Sequence, residues 1–154
     1  MIIRLANKEE YEDVSNLILQ VHQIHTALRP DIYKECEVVL DKKDYLDAIE
    51  ENRIYVGMLD NRIIGVTMLL FRNVDRQHQM PRKIIFIDIM VIDQRYRGSG
   101  YGALFFEFLK ELKLKLGYDA IELQVNARNV DAIKAYTSYG FINKSINMEL
   151  PDNE

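Results

Sequence analysis

The spacing of apolar residues predicts a strand and two helices in the first third of the chain. Ile2 to Leu5 is a short apolar run that indicates a first strand. Apolar residues at helical spacing follow Asn7, a suitable N-cap, and the helix is expected to end near Leu28, just before an Arg-Pro pair. Asp41 is expected to cap a second helix. The apolar positions of the first helix are Tyr11, Val14, Leu17, Ile18, Val21 and Ile24.

The rest of the chain alternates between extended and helical patterns. The predicted elements are strands over Ile54–Leu59, Ile63–Phe71 and Ile84–Ile92, a helix ended by Gly117, a strand over Ala120–Val125, a helix over Asn129–Tyr139 and a last strand over Phe141–Leu150. Residues 73–82 are predicted to form a loop. The order β-α-α-β-β-β-α-β-α-β predicts an α/β (α+β) fold with a mixed central β-sheet flanked by helices. One domain over residues 1–154 is expected.

Composition narrows the classes of function. The chain has 154 residues, a hydrophobic fraction of 48% and a net charge of -4. This charge argues against nucleic acid as a partner and is compatible with a cationic substrate such as an amine. No apolar stretch approaches the roughly 20 residues of a membrane helix, so no membrane partner is expected and a cytoplasmic location is predicted. Cys36, the one cysteine, is expected to be inert.

A glycine-rich turn, Arg97-Gly98-Ser99-Gly100-Tyr101-Gly102, lies between a strongly predicted strand and a long predicted helix. Glycines let the backbone turn sharply and let a ligand approach closely. The helix that begins here offers unpaired N–H groups and the positive end of its dipole. Arg95 and Arg97 add positive charge. The segment therefore predicts a phosphate-binding site.

Two other phosphate-binding motifs have glycine-rich turns of this kind. A Walker loop is excluded, because no Gly-Lys-Ser/Thr follows. Gly98-x-Gly100-x-x-Ala103 formally matches the dinucleotide-binding fingerprint. However, Asn126 stands near the place where that fold has an acidic ribose ligand, and the late position leaves room for one βαβ unit only. A dinucleotide-binding protein is the alternative interpretation of this turn.

The glycine turn, together with a second motif that begins at Asn129, resembles the GNAT superfamily of N-acetyltransferases. Arg97-x-x-Gly100-x-Gly102 is similar to the family's R/Q-x-x-G-x-G/A motif, and Asn129-x-x-Ala132-x-x-x-Tyr136 with Gly140-Phe141 is similar to a second one. The resemblance implies a GNAT-like acyltransferase fold and acetyl-CoA as cosubstrate. The cofactor-binding residues that it implies, together with the turn, are Met90, Val91, Ile92, Arg95, Arg97, Gly98, Ser99, Gly100, Tyr101, Gly102, Asn129 and Tyr136.

The resemblance also implies direct transfer of acetyl from the thioester to a primary amine in a ternary complex. Asp88 is the candidate general base, because a charge within an apolar run is costly unless it has a role; a solvent-facing or paired Asp88 is the alternative. Backbone N–H groups near Met90 are expected to stabilise the oxyanion. Tyr136 is implied as the proton donor to the departing thiolate.

The acceptor site is the least defined part of this prediction. His25, Arg29 and Tyr33 lie near the expected end of the first helix and are candidate substrate-binding residues. The amine could be a small molecule or belong to a peptide or protein. No metal site is predicted, because the histidines lack partners at ligand spacing. A non-catalytic CoA-binding or partner-docking module of the same fold is the alternative function, and a homodimer through the late strand is an option that the resemblance suggests.

Overall fold

The computed structural model describes residues 1–152. It divides the chain into two compact units, Met1–Gln124 and Val125–Glu154. The first unit contains a five-stranded sheet and three helices, and the second contains one helix.

The first unit is built on a mixed sheet with the strand order β1-β2-β3-β4-β5. Strands β1 to β4 pair antiparallel with their neighbours, and β4 pairs parallel with β5. This arrangement confirms the predicted fold class. The elements are β1 (Ile2–Leu5), α1 (Tyr11–Leu28), α2 (Lys42–Glu50), β2 (Ile54–Leu59), β3 (Arg62–Val74), β4 (Arg82–Ile92), α3 (Tyr101–Leu116) and β5 (Ala120–Leu123).

The predicted caps of the first two helices are present. Asn7 and Glu10 form a capping box, although the first turn, Lys8–Glu10, is a 3-10 helix that leads into α1. The Asp41 side chain accepts a hydrogen bond from Asp44 N and so begins α2. These caps satisfy N–H groups that a helix start leaves without partners.

Two glycines allow α3 to pack closely on one face of the sheet. The opposite face packs against the buried residues of α1 and α2, which we call the α1 core. A Cβ atom built on Gly57 or Gly65 would lie only 3.0 or 2.7 Å from the ring of Phe105 on α3. Phe105 itself is fully buried. The close approach therefore depends on glycine in β2 and β3.

Strand β4 is irregular at the point where it leaves β5. The register with β3 shifts between Met68 and Leu69, which pair with Ile89 and Ile87, so Asp88 is the extra residue of a β-bulge. The pairing of β4 with β5 covers only Ile84 to Ile87. Within residues 1–152, the β4 edge that faces away from β3 has no strand partner from Asp88 onward.

The second unit is organised around α4 (Val130–Tyr139). The Asn129 side chain accepts a hydrogen bond from Ala132 N, and Gly140 ends the helix in the left-handed region with φ 112°. Both ends of this helix were predicted.

The predicted last strand over Phe141–Leu150 is wrong, because the described residues after Tyr139 form no helix or strand. Ile146, Met148 and Leu150 keep the alternation that suggested a strand, but they are 77, 86 and 96% exposed. Alternating apolar residues favour a strand only when a neighbour pairs with it and covers one face.

The predicted loop over residues 73–82 is longer than the observed one, because β3 extends to Val74 and β4 begins at Arg82. The two strands pair along this whole length, with Val74 opposite Arg82. Hydrogen bonds between neighbouring strands can hold polar residues in a strand even where the apolar pattern does not predict one. None of the helices within residues 1–152 has the length and apolar character required to span a membrane.

Candidate functional site

Backbone groups at the end of β4 form one side of the candidate site. Asp93 N donates a hydrogen bond of 2.8 Å to Ile64 O, so these two residues form a hydrogen-bonded pair of the β3–β4 ladder. Pairs in an antiparallel ladder alternate in type, and the Thr67–Met90 pair lies three positions along both strands. The N–H of Met90 therefore points away from β3, toward the edge that β5 leaves unpaired. The predicted cofactor residues Met90, Val91 and Ile92 lie on this segment.

The turn after β4 is held by Asp93, which is buried. The Asp93 carboxylate accepts a hydrogen bond from Arg95 N at 3.0 Å and two from the Arg95 guanidinium, at 3.1 and 2.7 Å. The side-chain hydrogen bond from Arg95 lowers the pKa of Asp93 below its ordinary value. Arg95 was predicted to add positive charge beside the phosphate, and the structure pairs that charge with Asp93.

Arg97 also folds back onto the protein. Its Nε donates to Ile92 O at 2.8 Å, and its Nη2 donates to Gln20 Oε1 on α1 at 3.2 Å. Gln20 Oε1 accepts a further hydrogen bond from Gln94 N at 3.0 Å. These contacts fasten the turn to β4 and α1. The hydrogen-bond partners of the Arg97 guanidinium are neutral oxygens, so the positive charge of Arg97 remains beside the turn.

The glycine turn itself is open. Gly98 and Gly100 have φ angles of 77° and 83°, and a Cβ atom at either position would meet nothing within 4 Å. Gly100 is the N-cap of α3 and has no side chain with which to cap it. The N–H groups at the start of α3, together with the helix dipole, make this an anion-binding position. Ser99 is exposed, and the Tyr101 ring lies edge-on to Tyr96 at 6.3 Å.

Asp88 lies at the bulge and is exposed. Its charge is therefore not made costly by burial. What remains is its position, two residues before Met90 on the unpaired part of β4.

Two of the predicted residues belong to the second unit. Asn129 caps α4 through its side-chain oxygen, which accepts from Ala132 N at 3.2 Å. Tyr136 lies seven residues later, about 10 Å along the helix. Its ring packs edge-on against Phe141 at 5.9 Å, and burial raises the pKa of the Tyr136 phenol.

The three candidate acceptor residues lie together around the end of α1. The His25 and Tyr33 rings stack with centroids 5.2 Å apart, and Tyr33 N donates to Arg29 O at 2.9 Å. Arg29 forms hydrogen bonds of 2.8 and 2.6 Å to Asp31, which occupy its guanidinium. Burial, and secondarily the neighbouring His22, lower the pKa of His25, so its imidazole is neutral at pH 7.

Sequence reasoning missed Gln20 and Thr67. Gln20 is one polar residue among many on α1, and its two partners are 74 and 77 positions away in the chain. Thr67 is an ordinary residue for a strand. Neither position carries a local pattern that would have revealed its contacts. Within residues 1–152, no group of three or more histidine, cysteine or acidic side chains is placed to hold a metal ion.

Comparisons with known proteins agree with this architecture. A mutant of the BH1408 protein from Bacillus halodurans is 30% identical, with a TM-score of 0.95 over 99% of this chain and 100% of that one. A possible acetyltransferase from Clostridium difficile 630 has a TM-score of 0.77 at 16% identity, over 99% and 97% of the two chains. Aminoglycoside N-acetyltransferase AAC(6')-Iy, solved in complex with CoA, has a TM-score of 0.72 at 14% identity, over 99% of each chain. No curated protein matches the sequence significantly.

The family comparison covers most of the chain. Residues 18–141 match the model of the acetyltransferase (GNAT) family. This range includes the bulge in β4, the glycine turn and α4. The chain therefore belongs to the acetyltransferase (GNAT) family.

Proposed function

We propose that this protein is an N-acetyltransferase that transfers acetyl from acetyl-CoA to a primary amine by direct attack in a ternary complex. The observation that supports this most strongly is that the unpaired edge of β4 is followed in the chain by the open glycine turn. This segment offers an N–H group at Met90 and an anion-binding helix start whose N-cap, Gly100, lies ten residues later in the chain. Acetyl-CoA needs both, because its thioester oxygen requires a hydrogen-bond donor and its pyrophosphate requires an anion-binding position. The proposal treats residues 1–154 as one acetyltransferase domain, acting in the cytoplasm.

In this proposal the pyrophosphate of CoA binds the N–H groups at the start of α3. Gly98 and Gly100 leave the space above the turn free of side chains. Arg97 supplies charge from the side, and Ser99, Tyr101 and Gly102 contribute to the same turn. Arg95 contributes by holding Asp93 and hence the shape of the turn. AAC(6')-Iy, which binds CoA, has this fold.

The proposed chemistry has three parts. An amine with a pKa near 10.4 is mostly protonated at pH 7, and freeing it costs roughly 4 to 5 kcal/mol. Asp88, directly or through water, accepts that proton. The nitrogen then attacks the thioester carbonyl, whose oxyanion accepts a hydrogen bond from Met90 N. When the C–S bond breaks, Tyr136 gives a proton to the thiolate; burial raises the pKa of this phenol, so the proton is present on it at neutral pH.

The proposed acceptor site is the cluster at the end of α1. A neutral His25 stacked on Tyr33 presents an aromatic surface without positive charge, which suits the approach of an amine. Asp31 fixes the Arg29 guanidinium, so Arg29 shapes this surface more than it supplies free charge.

We also propose that the protein forms a homodimer through residues 142–150. The exposed apolar side chains of this segment are Ile142, Ile146, Met148 and Leu150. A second copy presents the same segment, so a two-fold pairing of extended segments would bury both sets.

A screen of amine classes for release of CoA thiol from acetyl-CoA tests the proposed function. The panel contains polyamines, aminoglycosides, amino acids, peptide N-termini and lysine side chains. We expect at least one class to accelerate thiol release well above hydrolysis. Binding of acetyl-CoA without release by any class would indicate a non-catalytic CoA-binding module. Tight binding of a nicotinamide dinucleotide in place of acetyl-CoA would overturn the assignment of the cofactor.

A further inference from the structure

Thr67 on β3 carries a buried hydroxyl next to the bulge of β4. Among residues 1–152, Thr67 and Asp93 are the buried polar or charged residues, and Thr67 has no exposed surface. Its Oγ1 donates a hydrogen bond of 3.1 Å to Ile89 O. A buried hydroxyl is costly without a partner, so this bond fixes the Thr67 side chain on one carbonyl of β4.

That carbonyl belongs to the peptide that carries the N–H of Met90. A peptide bond is planar and trans, so the C=O of residue 89 and the N–H of residue 90 point in opposite directions. When Thr67 holds Ile89 O on the β3 side, the Met90 N–H must point to the opposite, unpaired edge. The orientation of the Ile89 carbonyl therefore sets the orientation of the Met90 N–H.

The position matters because the ladder is interrupted beside it. The register shifts between Met68 and Leu69, and Asp88 is left without an opposite residue. By the alternation of pairs, Met68 and Ile89 form the last hydrogen-bonded pair before the bulge, so Ile89 O also faces Met68 N and the Thr67 hydroxyl is a second donor to it. A side-chain hydrogen bond at this place supplies restraint where backbone pairing is weakest.

We propose that Thr67 is a positioning residue for acetyl transfer: by holding Ile89 O, it aims the Met90 N–H at the thioester oxyanion. This rests on the proposed function, since it presumes that Met90 N–H stabilises the oxyanion. Thr67 lies on β3, does not touch the reacting atoms and acts through the Ile89–Met90 peptide.

Three variants test the proposal. Thr67→Val keeps the volume and removes the donor, and Thr67→Ser keeps the donor. Val66→Ala is the control, because Val66 is a fully buried neighbour on the same strand that packs in the α1 core instead. Losing an oxyanion donor costs about 100-fold or more in kcat, so loosening one should cost on the order of tenfold. We expect that loss in Thr67→Val, with KM for acetyl-CoA within about twofold, and near-normal kcat in Thr67→Ser and Val66→Ala.

A second measurement does not depend on turnover. With methionine labelled by ¹⁵N, the chain gives a small set of amide resonances, since it has six methionines. The Met90 resonance should shift in Thr67→Val and stay close to its original position in Thr67→Ser and Val66→Ala. Thr67→Ala replaces Thr67→Val in both measurements if the valine variant does not fold.

The outcomes separate this proposal from the proposed function. A folded Thr67→Val protein with unchanged kcat, or an equal loss in Val66→Ala, overturns the role of Thr67. If the original protein releases no thiol with any amine, the proposed function fails instead. In that case an unshifted Met90 resonance also rejects Thr67 as the group that orients this peptide, and a shifted one supports it.

Discussion

Tyr136 is the side chain whose proposed role can be tested most cleanly at the scale of single residues. Tyr136→Phe keeps the ring and its edge-on packing against Phe141 but removes the acidic proton. We expect kcat to fall by about 100-fold, a usual contribution of a general acid, with the affinity for acetyl-CoA nearly unchanged. Steady-state kinetics and calorimetric titration measure the two quantities. Unchanged kcat would remove Tyr136 as the acid.

The raised pKa of Tyr136 predicts how the rate of acetyl transfer changes with pH. Burial lifts the pKa above the ordinary value of 10.0, so the phenol stays protonated through neutral and mildly alkaline pH. A rate that depends on this proton is therefore lost only when pH rises past that raised value. A decrease in rate at pH values well below 10 that is present in the original protein and absent in Tyr136→Phe would contradict this assignment.

Asp88 is a second residue-scale test. In Asp88→Asn no carboxylate accepts the amine proton, so only amine that is already neutral in solution reacts. We expect kcat/KM at pH 7 to fall by about 100-fold or more, and the rise in rate with pH to move toward the amine's own pKa near 10.4. Asp75→Asn, an exposed aspartate in the loop between β3 and β4, is the matched control. Equal pH profiles for the two variants would reject Asp88 as the base.

Single residues also show where prediction from the sequence stops. The sharp turn at Gly98 and Gly100 followed from a local pattern, because a left-handed backbone conformation favours glycine itself. The pairing of Arg95 with Asp93 and the bridge made by Gln20 did not. Such contacts depend on side-chain orientation or on distant strands and helices, and neither is visible in apolar spacing.

At the scale of elements, helices were easier to predict than strands. A helix carries its apolar stripe and the residue that ends it within its own stretch of sequence, and the ends of α3 and α4 at Gly117 and Gly140 were correct. Strands depend on partners, which is why β3 and β4 extend further than their apolar runs. The same dependence explains the absence of a strand over Phe141–Leu150, where the apolar alternation is present and the pairing is not.

The two glycines that flank α3 provide a matched pair of variants. Gly100 and Gly117 cap opposite ends of this helix, with φ angles of 83° and 70°, and both face open space. Gly100→Ala and Gly117→Ala should each lower the free energy of unfolding by about 1 kcal/mol, because alanine is strained in the left-handed region. Only Gly100→Ala should also weaken acetyl-CoA binding, by roughly tenfold, since it alters the anion-binding turn.

Thermal unfolding and titration with acetyl-CoA measure these two effects separately. Equal loss of affinity in both glycine variants would mean that general destabilisation of α3 explains the result. Unchanged affinity in Gly100→Ala would argue against phosphate binding at this turn.

At the scale of the whole molecule, the exposed C-terminal segment predicts self-association. Light scattering should give the mass of a dimer for the original protein, because four exposed apolar side chains of residues 142–150 are then covered. Ile146→Lys combined with Met148→Lys should shift the mass toward the monomer. Leu114→Lys, which changes a 75% exposed leucine on α3, is the control. A monomer in all variants, or a dimer that survives the double change, would reject this interface.

The global architecture was predictable because two motifs and the order of elements limit the fold strongly. The mixed sheet, its flanking helices and the family all agree with the sequence prediction. The bulge at Asp88 and the short pairing of β5 were not located by the sequence, since both arise from how three strands fit together. The acceptor is still harder to predict, because the residues of the cluster, His25, Arg29 and Tyr33, are common in proteins and do not by themselves indicate which amine would bind there.

Direct transfer of acetyl from acetyl-CoA to an amine is the central claim, and the fate of a labelled acetyl group tests it most directly. The protein is incubated with acetyl-CoA labelled in the acetyl group and with the amine that best releases thiol, and mass spectrometry follows the label. The account predicts label on the amine nitrogen of the acceptor, in step with thiol release, and none on the protein. Label held on a protein side chain before it reaches the amine, or released only as acetate, would contradict it.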